Sequence, residues 1–138
     1  MNKDEIKEFL PHREPMLLVE DVVLVGETAV AHYHVRGDEY FVQGHFPGYP
    51  VVPGVILCEM MGQSCCALIK DELPGKTPFY SGIDNVRFKN QVRPGDTITL
   101  TSKITNRRGM VFFVEAKAEV EGKLCAKGNL IFTLVPNK

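Results

Sequence analysis

The sequence predicts an α+β domain: an antiparallel sheet of about six strands, with one long helix inserted after the second strand. Three observations carry this. Branched and alternating apolar runs recur between short turn signals at Gly26-Glu27, Pro94-Gly95-Asp96, Arg108-Gly109 and Glu121-Gly122, as in strands joined by tight turns. From Gly54 to about Asp71 nearly every residue is apolar or small, on all sides of a helical wheel, which is how a helix buried all round reads. The 138 residues suit one ordinary domain, 1–138, with no internal repeat or linker to divide it.

Taken in order, residues 2–10 read as a short amphipathic helix through Ile6, Phe9 and Leu10, stopped by Pro11. "MLLVEDVVLV" (16–25) reads as the first strand and "TAVAHYHV" (28–35) as the second. Residues 37–53 are punctuated by Gly and Pro, so they read as ordered loop with at most a turn of helix at Asp38–Phe41. The long helix then runs to "LPGKTP". The remaining strands read as 78–88, 96–104, 110–120 and 123–135. A sheet curled round one helix would give it the burial its sequence demands; an ordinary α+β sandwich fits the pattern almost as well.

Composition is globular, with 44% hydrophobic and 24% charged residues. A net charge of −1 does not suggest nucleic acid or an anionic membrane as partner. No apolar run approaches the roughly 20 residues of a membrane span, and "MNKDEIKEFL" is too charged for a signal peptide, so the expected location is the cytoplasm. Cys58, Cys65, Cys66 and Cys125 include no C-x-x-C pair and read as buried free thiols. His32 and His34 share one face of a strand, but no further ligands complete a set, so no metal is expected. His12, in "LPHREP", reads as tying down the N-terminal turn.

The chemistry concentrates in "GHFPGYPVVPGVILCEMMGQ", residues 44–63. Glu59 is a carboxylic acid on an apolar helix, where ionisation loses hydration. Gln63 lies one turn on, on the same face, close enough to share a hydrogen-bonded water with it. Apolar surroundings favour a protonated carboxyl, fit to be a general acid. His45 sits in a loop stiffened by Gly44, Pro47, Gly48 and Pro50, which can hold an imidazole in a fixed direction. Pro53 suits the first helical position, leaving the Gly54 and Val55 amides as orphan donors where a carbonyl oxygen gaining charge could be held.

This stretch resembles the signature of the β-hydroxyacyl-acyl carrier protein dehydratases of type II fatty acid synthesis. "LPHREPMLLVEDV" is similar to that family's opening motif, with Glu20 where aspartate is usual, and "FYSGIDNVRFKNQVRPGDTI" to its third-strand segment. The resemblance implies a hot-dog fold, in which a curled antiparallel sheet wraps a long helix. It implies that His45 and Glu59 are the catalytic pair, that Gln63 positions a water, and that the Gly54 amide polarises the thioester carbonyl. The implied reaction dehydrates a (3R)-3-hydroxyacyl thioester to the trans-2-enoyl thioester, the substrate riding on the phosphopantetheine of acyl carrier protein, with no metal or organic cofactor. The implied assembly is a homodimer with His45 of one chain facing Glu59 of the other, often three dimers to a hexamer. Glutamate at 59, where some relatives have aspartate, argues for the broad-specificity branch, while Met60 and Gly62 replace usual alanines and bear on chain length.

Two rivals share the fold: an acyl thioesterase, with Glu59 activating water, and a non-catalytic acyl-thioester sensor. Some family members also isomerise the product to the cis-3 enoyl form. Arg87, Lys89 and Arg93 cluster in "VRFKNQVRPGD" and are candidates for docking the acidic carrier, against the plainer reading of a solvated strand edge.

Overall fold

The structure, a computed structural model, describes residues 1–137. Helix α1 is short, Lys3–Ile6, and opens on a capping box in which the Glu5 N–H donates to Asn2 Oδ1 and the Asn2 N–H donates to Glu5 Oε1. Strands β1 (Asp21–Val25) and β2 (Thr28–His34) follow. After the small helix α2 (Tyr40–Gln43) comes α3 (Gly54–Cys65), continued by a 3₁₀ segment, Cys66–Glu72. The chain ends in β3 (Lys76–Phe88), β4 (Thr97–Arg108), β5 (Val111–Val120) and β6 (Lys123–Pro136).

The six strands form one antiparallel sheet in the order β1-β2-β4-β5-β6-β3, curled round α3, which packs on β2, β4, β5 and β6. This is the hot-dog arrangement. Inward positions alternate along each strand: Ala29, Ala31 and Tyr33 on β2, Ile98 and Leu100 on β4, Phe112 and Val114 on β5, Leu130, Phe132 and Leu134 on β6. The alanines of β2 let the helix come close, and Met60, Met61 and Cys65 of α3 are sealed between them and the other strands. The β5–β6 connection has positive φ at both Glu121 and Gly122, as a two-residue hairpin turn of the twist-matching kind requires.

One expected strand is shorter than read. Residues 16–20 are not sheet; pairing starts at Asp21. Leu17, Leu18 and Val19 are buried as their hydrophobicity demands. Their backbone finds a side chain instead of a strand: Leu18 N–H donates to Gln63 Oε1 (2.8 Å), and the Met16 carbonyl accepts from Gln63 Nε2 (2.7 Å). The N-terminal helix is likewise shorter than 2–10, and the small helix falls at Tyr40–Gln43, overlapping the expected turn at Asp38–Phe41 but shifted two residues on. No helix among the described residues is long and apolar enough to cross a membrane.

Candidate active site

Glu59 lies in the middle of α3, at the rim of a cavity of about 50 Å³ lined by His12, Gly62, Gln63, Tyr80 and Phe132. Its side chain is 23% exposed. Gln63, one turn on and buried, donates from Nε2 to Glu59 Oε2 at 2.8 Å. Both N–H donors of Gln63 are therefore engaged, one by Met16 and one by the acid. His12 Nε2 stands 3.3 Å from the same Oε2. The sequence reading had His12 tie down the N-terminal turn; the contact with Glu59 spans 47 residues and leaves no local sequence signal. Tyr80, also unremarked in the sequence, donates its hydroxyl to the Cys58 carbonyl at 2.7 Å. Burial, and then the nearby Glu59 charge, push its pKa up, so it stays a donor.

His45 follows α2 and the turn at Gly44. Its Nδ1 lies 3.1 Å from the Val51 carbonyl. A carbonyl only accepts, so Nδ1 carries the hydrogen and Nε2 keeps its lone pair. Phe46 stacks on the imidazole with centroids 4.1 Å apart. The loop closes on itself through Phe46 and Tyr49, whose amides and carbonyls bond reciprocally, and through Val51 N–H to the His45 carbonyl. It is pinned to the body by Val52 N–H to the Val92 carbonyl.

Pro53 stands at the N-cap with extended backbone. The first amides to reach a carbonyl are those of Ile56 and Leu57, both onto Pro53. The Gly54 and Val55 amides come before them, beside His45, on an open concavity of about 500 Å³ that also holds Phe88 and Lys89. Glycine at 54 also lets the Phe88 ring lie close: a Cβ there would come within 2.7 Å of it, so the ring would have to shift.

Among the described residues, Glu59 and His45 do not line a common cavity. His45, Gly54 and Val55 line one; Glu59 and Gln63 line another. Of the cationic candidates, Lys89 and Arg93 border a common concavity, where Arg93 lies over the Tyr49 ring at 4.5 Å and bonds Gln91. Arg87 is exposed on β3, paired in register with Lys127, and Lys89 lies just beyond the strand's end. The four cysteines are buried, and burial raises the thiols of Cys58, Cys65 and Cys125. His32 meets Asp21, and His34 meets Thr97, as solvated strand residues do.

The sequence model of the FabA-like domain matches residues 10–129. A curated relative, the 3-hydroxyacyl-acyl-carrier-protein dehydratase FabZ of Clostridium perfringens, is 49% identical over 137 residues, covering 97% of this chain and 99% of that protein. Its namesake in Streptococcus sanguinis is 51% identical over 134 residues, covering 95% and 96%. Among solved structures, the dehydratase heterocomplex ApeI:P from Xenorhabdus doucetiae aligns with a TM-score of 0.80 over 96% of this chain and 91% of that one, at 21% identity. At that identity the likeness carries the fold alone.

Proposed function

This chain belongs to the FabA-like domain family, and from that premise we propose that His45 and Glu59 are the base and acid of its reaction, completed between two copies of the chain. The chain is a 3-hydroxyacyl-acyl-carrier-protein dehydratase, a hydro-lyase of fatty acid synthesis. In the proposed mechanism His45 Nε2 removes the α-proton of the 3-hydroxyacyl thioester. The charge that grows on the thioester oxygen is held by the Gly54 and Val55 amides at the positive end of α3. Glu59 gives its proton to the departing hydroxyl, which leaves as water, and the trans-2-enoyl thioester remains. Transfer of a proton from His45 back to Glu59, through solvent, resets the site. The residues supply base, acid and oxyanion donors between them, so the proposal includes no cofactor beyond the phosphopantetheine on which the carrier presents its substrate.

The observation that carries this reading is the Val51 carbonyl on His45 Nδ1, which leaves Nε2 free as a base. The placement of the pair in separate cavities supports a shared site. So does β3, an edge strand with exposed Phe79, Ile83 and Phe88, the kind of edge a second strand covers. Pairing β3 with its copy would make a homodimer; a hexamer would be three such dimers. The test is turnover of 3-hydroxyacyl carrier protein. His45→Ala and Glu59→Gln each lower it about 10²–10⁴-fold with unchanged thermal unfolding, and full activity in either removes that residue from the mechanism.

A further inference from the structure

We propose that His12 is a positioning residue for the acid: its Nε2–H and the Gln63 amide together hold Oε2 of Glu59 and leave Oε1 as the oxygen that carries the delivered proton. The proposal rests on the reading of Glu59 as the acid. Gln63 Nε2 lies 2.8 Å and His12 Nε2 3.3 Å from the same carboxyl oxygen. Among the described residues no hydrogen bond reaches Oε1. In a protonated carboxyl one oxygen is hydroxyl and the other accepts. Oε2 already accepts from Gln63 Nε2 and faces His12 Nε2 as well, so it is the accepting oxygen; an O–H there would confront the amide donor. The proton therefore belongs on Oε1.

The tautomer of His12 follows from its other nitrogen. Nδ1 is buried and has no partner among the described residues. A hydrogen on Nδ1 would be a buried donor with nothing to accept it, which is worse than an idle lone pair. The tautomer that avoids such a donor carries its hydrogen on Nε2, the nitrogen on the side of Glu59. Neutrality matters to the chemistry. A cationic imidazole would favour the carboxylate and disarm the acid, whereas a neutral donor orients it and leaves the proton in place.

The loop that carries His12 is anchored on both sides. The Arg13 guanidinium donates to the Leu10, His12 and Lys7 carbonyls at 2.7, 2.7 and 3.0 Å. Glu14 bridges Lys3 and Lys7 at 3.3 and 3.2 Å. Beyond it, Met16 and Leu18 are fastened to Gln63. One glutamine therefore ties the acid, the segment after His12 and α3 into a single network.

Two variants test this on the intact enzyme with carrier-bound 3-hydroxyacyl substrate. His12→Phe keeps a ring in the same space but has no N–H; His12→Gln supplies an amide nitrogen in place of Nε2. We expect His12→Phe to lower kcat about 10–100-fold with KM within about twofold, and His12→Gln to recover most of the loss. In a Glu59→Gln background His12→Phe should change nothing further, because no acid proton is left to place. Unchanged kcat in His12→Phe overturns the proposal. So does an equal loss in both variants accompanied by a lowered Tm, which would make His12 a packing residue. Full activity of Glu59→Gln alone would be a failure of the underlying reading, visible before His12 is altered.

Discussion

Gly62 and Tyr80 are fitted to each other. A Cβ at position 62 would overlap the Tyr80 hydroxyl, which is fixed by its bond to the Cys58 carbonyl. By sequence, glycine here only weakens a helix, by about 1 kcal/mol against alanine. The contact reverses that preference. Gly62→Ala should lower stability by about 1–3 kcal/mol, and Tyr80→Phe in the same chain should restore most of it. Thermal unfolding of the four combinations decides; a Gly62→Ala protein as stable as the parent would show that Tyr80 simply moves aside. Glu39 makes a second residue-scale prediction. Burial opposes its charge, but the Arg36 and Gly37 amides and the Tyr33 hydroxyl outweigh that, and its pKa falls below the ordinary 4.5. A carboxyl depressed by folding contributes stability that is fully present above the ordinary value and lost as pH falls through the folded one. Glu39→Gln should therefore cost about 1–3 kcal/mol at neutral pH, and the gap between the two proteins in urea unfolding should narrow below pH ~4. A gap that stays constant with pH would mean that Glu39's charge contributes nothing.

At the scale of elements, α3 does two jobs with its two ends. Its first turn is open, with Val55 74% exposed and the leading amides free to bind an oxyanion. From Leu57 onward it is core, and Glu59 is the residue that faces out of it. Strand β3 then leads from Tyr80 beside the acid to Phe88 over Gly54, so one strand borders both halves of the site. Arg87 and Lys89 at its far end are the candidates for docking an acidic carrier, and that role is open to test. Reversing charge at Arg87 and Lys89 should raise KM for carrier-bound substrate and flatten its salt dependence. Turnover of a short pantetheine-linked analogue should hardly change. Arg93 is left out of this test because its stacking on Tyr49 braces the loop after His45. Equal damage to both substrates would assign the two residues to the strand's integrity.

For the whole molecule, the separation of Glu59 from His45 into different cavities is the decisive feature. If two copies complete each other's sites, inactive His45→Ala and inactive Glu59→Gln proteins should regain activity on mixing under subunit exchange, since a mixed dimer holds one intact pair. About a quarter of the parent rate is the expected ceiling, because half the chains' sites stay broken in mixed dimers and only half the dimers are mixed. No recovery despite demonstrated exchange would place both residues of each site in one chain. An acidic substitution at Ile83, exposed on the β3 edge, should give monomers and abolish turnover together. Monomers that keep full activity would argue against the shared site.

The sequence alone determined the kinds of element and their order, because side-chain periodicity is imposed locally by backbone geometry. It also determined Glu59 and His45 as candidates, since a carboxylate on an apolar helix and an imidazole in a proline-stiffened loop stand out against their neighbours. Besides element boundaries, two sequence expectations needed the fold to be put right: the strand read at 16–20 and the turn-tying role given to His12. Leu17, Leu18 and Val19 have strand-like hydrophobicity, yet what the backbone bonds to is a matter of which groups lie within reach, and Gln63, 45 residues from Leu18, got there first. His12 meets Glu59, and Tyr80 meets Gly62, through equally distant pairings. Such contacts are set when the curled sheet closes on α3 and close packing leaves each side chain one place to go, and no period in the chain records them.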